Sequence, residues 1–293
     1  MTALKSRLKE RRAVLAPGVY DALSALLVEQ AGFEACYLSG ASIAYTQIGA
    51  PDLGLTGPDL VADVIARIRD RVGLPIIVDG DTGFGNALNV QRTVRTFERA
   101  GANAIQLEDQ VMPKRCGHLA GKELVSLTEM TGKIAAALDA RASEETLIIA
   151  RTDGIAVEGF AAALERAEAY AAAGADVLFV EAPQSLEQME TIAGRLGPRA
   201  PLLANMVEGG KTPLKNLAEL ESAGFSLVIT PGAMVRAFVH MAEGFLAALK
   251  EDGSTQRYAE RMLNFTELNS RLGLSDLLDL GAHYEGAKKD AAE

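Results

Sequence analysis

The chain has 293 residues, 48% of them apolar and 23% charged, with no Trp; that is ample for a large core and too short for more than one barrel-sized domain. Lys and Arg number 29 against 39 Asp and Glu, a net charge of −10, which argues against nucleic acid and anionic lipid as partners. No run of eighteen apolar residues exists to span a membrane, and Cys36 and Cys116 are too few for a disulfide framework, so a reducing cytoplasm is the expected location.

Residues 1–12 are basic and amphipathic, without the apolar stretch or cleavage site of a signal peptide. Val14-Leu15-Ala16 is the first buried-strand candidate. Next, Ala31-Gly32 precedes Ala35-Cys36-Tyr37-Leu38. The same phrase returns at Ala100-Gly101 before Ala104-Ile105-Gln106-Leu107, at Ala173-Gly174 before Val177-Leu178-Phe179-Val180, and at Ala223-Gly224 before Leu227-Val228-Ile229-Thr230. A glycine closing an alanine-rich stretch suits the positive φ of a helix C-terminus. A short, continuous apolar run suits a strand buried on both faces. Between these fall Pro75-Ile76-Ile77-Val78, Leu147-Ile148-Ile149-Ala150 and Leu202-Leu203-Ala204, which brings the count to eight strands. Helical patterns, for example 59–71, 88–100 and 158–173, separate them. Such alternation implies parallel strands with right-handed crossovers, and eight units predict an α/β fold, a single (β/α)8 TIM-type barrel over residues 1–250. A doubly wound open sheet is the runner-up, but no Gly-x-Gly-x-x-Gly follows the first strand; Gly83-Phe84-Gly85-Asn86, after the third, is a weak signal. Residues 251–293 read as a C-terminal extension, with helical stretches at 254–269 and 274–280 and a frayed tail from Ala287.

Reactive residues gather where these strands end, the face on which a barrel enzyme carries its site. Tyr37-Leu38-Ser39-Gly40-Ala41 closes the second strand, Asp79-Gly80-Asp81 the third and Glu108-Asp109 the fourth. Arg151-Thr152-Asp153 closes the fifth, Glu181 the sixth, and Asn205 followed by Glu208 the seventh. Any one alone would pass for a helix cap or a solvated end; a succession on one rim does not. Asp79, Asp81 and Glu108 make an anionic, all-oxygen cluster that without a cation would force protonation. No His lies near them in sequence and no thiol pair exists, so zinc is disfavoured, while Mg²⁺ or Mn²⁺ suits oxygen ligands and bound water. Such a metal would hold an anionic substrate oxygen as a Lewis acid. Ser39-Gly40-Ala41 lets backbone N–H groups approach a carboxylate. Arg151 offers a planar fork for a second carboxylate or, equally, a rim ion pair with Glu181. His240 and His283 read as ordinary helix residues.

The fourth strand runs on into Glu108-Asp109-Gln110-Val111-Met112-Pro113-Lys114-Arg115-Cys116-Gly117-His118, a loop without helical spacing. Charge alone would make it solvated surface. Lys114, Arg115 and His118 flank Cys116, however, and such neighbours favour the thiolate. That is the setting of a nucleophile or a proton donor.

Six segments carry a wider likeness: Tyr37-Leu38-Ser39-Gly40, Pro51-Asp52-Leu53-Gly54, Asp79-Gly80-Asp81-Thr82-Gly83-Phe84-Gly85, Glu108-Asp109-Gln110, Lys114-Arg115-Cys116-Gly117-His118 and Ala150-Arg151-Thr152-Asp153. Through them nearly the whole chain resembles the isocitrate lyase/phosphoenolpyruvate mutase superfamily. The resemblance implies a (β/α)8 barrel in a homotetramer, with a terminal helix swapped between partners, which would account for the surplus helices. Its Lys-Arg-Cys-Gly-His loop is similar to that of the carbon–carbon lyases, whereas mutases and phosphonopyruvate hydrolases carry a Lys/Asn loop. By the same resemblance Asp81 binds Mg²⁺ most directly, with Asp52, Asp79 and Glu108 holding it through water. Ser39, Gly40, Ala41 and Arg151 would bind the 2-oxo acid portion of a small anionic carboxylate, and Glu181 and Asn205 would complete the pocket. Tyr37 would take the proton of the 2-hydroxyl, and Cys116, with Lys114 and His118 beside it, would protonate the departing carbanion. The implied reaction is cleavage of a malate-type di- or tricarboxylate into a 2-oxo acid, pyruvate or glyoxylate, and a second carboxylate.

Two departures bear on the substrate. Leu119-Ala120-Gly121-Lys122-Glu123-Leu124-Val125 differs from the Arg-Pro-Asn-Lys of methylisocitrate lyases and looks more like dimethylmalate lyases and oxaloacetate hydrolases. The eighth strand ends Thr230-Pro231-Gly232-Ala233, where isocitrate and methylisocitrate lyases carry Pro-Leu-Ser; Gly232 and Ala233 offer no side-chain donor to an extra carboxylate. A smaller dicarboxylate, such as a substituted malate, is therefore favoured. Oxaloacetate decarboxylation or hydrolysis on the same scaffold is the rival. A non-catalytic scaffold would lack the acids and the thiol that are present.

Overall fold

The structure, a computed structural model, describes residues 4–10, 12–117 and 121–290, with side chains through Glu285. Eight strands pair in chain order: β1 (Val14–Val19), β2 (Cys36–Leu38), β3 (Ile76–Asp79), β4 (Ala104–Glu108), β5 (Leu147–Thr152), β6 (Val177–Val180), β7 (Leu202–Asn205) and β8 (Leu227–Thr230). All neighbours run parallel, and β8 pairs with β1, Leu227 opposite Val14, to close the barrel. The (β/α)8 barrel expected from the sequence is the fold observed.

Every residue of β3, β4, β5 and β6 is buried. Successive side chains alternate between the barrel interior and the surrounding helices, and both environments are apolar. The interior series includes Tyr37, Ile77, Ala104, Ile149, Phe179, Leu203 and Ile229, and Leu4 and Leu8 of the N-terminal segment join the same cluster. Steps of two along each strand carry that series to the rim: Tyr37 to Ser39, Ile77 to Asp79, Ala104 through Gln106 to Glu108. The same steps lead from Ile149 to Arg151, from Phe179 to Glu181 and from Leu203 to Asn205. The period that builds the core thus also aims the polar ends.

Helix Pro58–Arg69 opens on proline with Asp59 in its first turn and buries Val61, Val64, Ile65 and Ile68. Helix Ala87–Ala100 starts at Asn86, whose side chain accepts from the Leu88 and Asn89 N–H groups, and stops at Gly101 with φ of 111°. Gly32, Gly174 and Gly224 also have positive φ, 82°, 99° and 102°, which is the physical content of the repeated Ala-Gly phrase. The helix expected over 158–173 is observed as Phe160–Ala172, its start set by Gly159 at φ of 93°, which separates it from a short helix, Gly154–Val157.

The compact units are Met1–Arg236 and Ala237–Glu293; their division falls inside the helix Ala233–Asp252. Within the second unit Phe245 meets Tyr258 edge to face at 5.5 Å. The single helix expected over 254–269 is a 3-10 helix, Gln256–Arg261, followed by an α-helix, Phe265–Arg271. Asn264 imposes the new start: its side chain accepts from the Glu267 N–H at 2.9 Å while the Glu267 carboxylate accepts from its own N–H at 2.9 Å. The last helix runs Leu274–Asp290, past the expected end at 280. The frayed-tail expectation therefore fails for 287–290, and 291–293 lie outside the described residues. Phe238, Met241, Phe265, Leu277 and Leu278 of this unit are exposed. No helix among the described residues is long and apolar enough to cross a membrane.

Candidate active site

The C-terminal rim of the barrel holds a cavity of about 120 Å³, lined by Tyr37, Ser39, Ala41, Asp52, Asp79, Glu108, Lys114, Cys116, Arg151, Glu181 and Asn205 among others. Nearly all the residues singled out from the sequence therefore meet in one place. Gly40 abuts it: a Cβ there would lie 3.2 Å from Asp79 Oδ2 and 3.3 Å from Asp81 Oδ1. His118 lies outside the described residues.

Two adjacent strand ends are stitched together to form the acidic wall. The Glu108 N–H donates to Asp81 O at 2.8 Å, and the Asp81 N–H donates to Asp79 Oδ1 at 3.2 Å. Gln106 Nε2 donates to the same Asp79 oxygen at 3.1 Å, while Gln106 Oε1 accepts from Tyr37 Oη at 3.0 Å. Lys114 reaches in from the loop, hydrogen-bonded to Asp52 and 2.8 Å from Asp81 Oδ1. That second contact is a close ion pair, whereas Glu108 Oε1 is buried and receives no donor.

Burial dominates the titration of this wall. It pushes Asp81 up to about 7 even with Lys114 alongside, Asp79 and Asp52 adding to the rise. Glu108 is raised well above its ordinary value, again by burial, against the pull of Arg151. Burial alone would lower the Lys114 ammonium, but Asp81, Glu108, Asp79 and Asp52 outweigh it and hold the lysine charged. Tyr37 is also raised well above its ordinary value, by burial and then by Asp79. Its phenol is a neutral donor to Gln106, and ionising it would place charge beside a carboxylate. In this arrangement Tyr37 Oη orients Gln106, at the cavity where the resemblance places the base.

Among the described residues no three carboxylates converge as a ready metal cage; the Lys114 ammonium stands where a cation would be shared. The donor set nevertheless fits Mg²⁺. All the groups are hard oxygens, Glu108 Oε1 lacks a donor, and Gly40 leaves the acids uncovered. With Lys114 withdrawn, Asp79, Asp81 and Glu108 would hold the ion, with Asp52 beside them.

The anion-binding side is built differently. Ser39 Oγ accepts from the Ser42 N–H at 3.2 Å and caps the helix Gly40–Gln47, so its hydroxyl is already engaged. The N–H groups of Gly40 and Ala41, at the helix start, have no intrahelical acceptor and carry the positive end of its dipole. Arg151 stacks over the Phe179 ring at 5.2 Å and grips Asp153 through Nε at 3.0 Å and Nη2 at 3.2 Å. Its Nη1 lies 3.3 Å from Glu108 Oε2, and Glu181 Oε2 is farther, 3.9 Å from Nη2. The expected pairing with Glu181 is thus the weakest of its contacts. Asn205 Nδ2 donates to Glu181 Oε2 at 3.2 Å.

Several residues absent from the sequence expectation matter here. Gln106 follows the inward series of β4, and that phase would have found it; Asp153, already placed at the end of β5, continues the inward series there. Lys122, buried, donates to Asp153 Oδ1 at 2.7 Å and to Gly117 O. Arg236 lines the cavity from one turn beyond β8, its Nη1 3.1 Å from Glu208 Oε2. Gly232 and Ala233 offer no side-chain donor, as expected, but Arg236 beyond them does; nothing in the local sequence signals that it turns back to the cavity. Glu208, placed at the rim from sequence, is the half-exposed partner of that arginine.

Residues 4–250 match the family described as phosphoenolpyruvate phosphomutase. The chain belongs to the phosphoenolpyruvate mutase/isocitrate lyase superfamily. It is 44% identical over 290 residues to a 2,3-dimethylmalate lyase of Eubacterium barkeri, covering 97% of this chain and 98% of that one. It is 48% identical over 273 residues to a 2-methylisocitrate lyase of Aeropyrum pernix, covering 93% and 87% of the two chains. Among solved structures it superimposes on an oxaloacetate acetylhydrolase in complex with the inhibitor 3,3-difluorooxalacetate, with a TM-score of 0.92, 33% identity, and coverage of 97% of this chain and 96% of that one. Within the superfamily the chain is a carbon–carbon lyase.

Proposed function

We propose that this lyase breaks the C2–C3 bond of a malate-type 2-hydroxy carboxylate, in the cytoplasm and with Mg²⁺. The observation that carries the reading is the meeting of the Cys116 thiol, the Asp79–Glu108 wall and the Arg151 guanidinium in one small cavity. When bound, Mg²⁺ would supply Lewis-acid polarisation of the substrate oxygens. The Gly40 and Ala41 N–H groups bind a carboxylate of the substrate. Arg151, fixed by Asp153, adds a charge-assisted donor. Tyr37 and Gln106 keep Asp79 turned toward the cavity. The 2-hydroxyl gives its proton to a base, the role the resemblance gives Tyr37; as the C2–C3 bond breaks, its electron pair passes to C3 to give an enediolate, and the 2-hydroxyl oxygen becomes the carbonyl of a 2-oxo acid. Cys116 protonates C3 and is left as the thiolate.

Substrate size is open to a third carboxylate because Arg236 supplies the donor that Gly232 and Ala233 lack. The test is a panel with Mg²⁺, 2,3-dimethylmalate beside 2-methylisocitrate, assayed for release of a 2-oxo acid. Cys116→Ser should lower turnover by about 10²–10⁴-fold, the usual worth of a general acid, with folding intact; turnover near wild type would remove the thiol from the mechanism. The likeness to oxaloacetate acetylhydrolase supports a second reading, hydrolysis of oxaloacetate in the same cavity. Oxalate released from oxaloacetate, with no cleavage of either hydroxy acid, would favour it. Further copies of the chain, in a homotetramer, are proposed to cover Phe265, Leu277, Leu278 and their exposed apolar neighbours. A monomer mass by light scattering would refute that assembly.

A further inference from the structure

We propose that Lys122 and Gln110 are positioning residues that fix the Cys116 thiol over the cavity, an inference that rests on the proton-donor reading of that thiol. The backbone on both sides of Cys116 is gripped by a side chain. On one side the Gln110 carboxamide makes a two-point clamp: its Nε2 donates to Arg115 O at 2.9 Å, and its Oε1 accepts from the Arg115 N–H at 3.0 Å. On the other side Lys122 Nζ donates to Gly117 O.

Neither clamp is loose surface. Gln110 is 1% exposed and Lys122 8%. An ammonium this deeply buried persists only when paired, and its partner is Asp153 Oδ1 at 2.7 Å. Asp153 is itself anchored to the barrel, gripped by Arg151 and donating its own N–H to Asp109 Oδ1 at 2.9 Å. A continuous chain of contacts therefore runs from the end of β5, through Asp153 and Lys122, to the carbonyl that follows the thiol.

Little slack remains at that carbonyl. A Cβ on Gly117 would come within 2.5 Å of Arg151 Nη2 and 3.0 Å of Glu181 Cγ. The base of the loop is held by other bonds, Val111 N–H to Glu123 O at 2.8 Å and Val125 N–H to Asp109 O at 2.9 Å. Loss of either clamp thus frees the thiol while the loop stays attached.

Lys122→Met and Gln110→Ala test this by two readouts on the full chain. The first is the rate of Cys116 alkylation by iodoacetamide; Cys36 is fully buried and does not compete. The second is kcat and KM for 2,3-dimethylmalate with Mg²⁺. Each variant should alkylate about tenfold faster or more, and lose about a hundredfold in kcat with KM within about threefold, as misplacement of a reacting group by about 1 Å predicts. Alkylation at the wild-type rate in both variants, or a loss confined to KM, would overturn the proposal. Should Lys122→Met fail to fold, Gln110→Ala decides by the same criteria. Should the wild type not cleave 2,3-dimethylmalate, alkylation alone decides. Faster alkylation together with a fully active Cys116→Ser would leave the clamps standing and sink the proton-donor reading instead.

Discussion

Lys114→Met probes the acidic wall without relying on turnover. Lys114 is 3% exposed and lies against Asp52 and Asp81, and removing one partner of a buried ion pair costs about 3–5 kcal/mol. Protonation sets a ceiling on that cost. With the ammonium gone, Asp81 keeps its proton to higher pH; holding a carboxyl neutral at pH 7 against an unfolded value near 4 costs about 4 kcal/mol at ~1.4 kcal/mol per pH unit, most of which wild type already bears. Asp81 already sits near 7 in the intact wall, above its ordinary value. For a carboxyl raised in the folded state, the stability it contributes is complete below the unfolded pKa and is lost as pH rises toward the folded one. Below pH 7 both proteins hold Asp81 protonated, so the deficit of Lys114→Met should be flat there and widen by up to ~1.4 kcal/mol per pH unit above it. Mg²⁺ should repay the variant: at a hundred times Kd a ligand adds about 2.7 kcal/mol, and the variant presents the acids with no competing ammonium. The assay is urea unfolding with chelator and with saturating Mg²⁺, across pH. A chelated variant as stable as wild type at pH 7, or one that Mg²⁺ leaves unmoved, would refute the reasoning.

Gly117→Ala should lose on the order of 10²-fold in kcat while melting near wild type, because its methyl would meet Arg151 and Glu181 only when the loop is seated on the rim; full activity would show that the loop does not press there during turnover. Arg236→Met should raise KM for 2-methylisocitrate about tenfold and shift the preference toward 2,3-dimethylmalate, since its exposed pair with Glu208 is easily exchanged for a substrate carboxylate. Equal changes for both substrates would deny it a part in selection. Asp153→Asn should destabilise the fold by about 3–5 kcal/mol, because Lys122 loses its buried counter-charge and Arg151 the carboxylate that grips it at two points; equilibrium unfolding reads it directly, and a loss below about 1 kcal/mol would mean that the pairs are solvated.

The barrel was legible because every strand is a short apolar run and four of them follow the same Ala-Gly ending, signals that local backbone physics fixes. The rim was legible for a related reason: acids and amides that follow apolar runs in the inward phase have nowhere to point but the cavity. What escaped was long-range in origin. Lys114 reads as a cation beside a thiol, yet its ammonium turns away to Asp52, 62 residues earlier in the chain, and Asp81. Arg236 belongs by sequence to an amphipathic helix, and only the closure of β8 onto β1 brings it over the cavity. Asn264 was visible as a capping residue, with Glu267 three positions on, and could have divided the expected 254–269 helix.

Asp109 shows how the phase sorts chemistry from scaffolding. It sits next to Glu108 and is as deeply buried, yet it points out of the barrel toward the helices. There it accepts from Thr152 Oγ1 at 2.7 Å, Tyr170 Oη at 2.7 Å and the Asp153 N–H at 2.9 Å, with Arg166 Nη1 3.6 Å away. Burial raises its pKa, and those bonds to the ionised form oppose the rise. Its neighbour inside the barrel has the opposite condition, an oxygen with no donor at all. A carboxylate satisfied on every side has nothing left to offer a substrate or an ion; one left short beside a cation does. Two consecutive acids on one strand therefore divide the labour, the outward one holding β4 against β5 and the inward one facing the reaction.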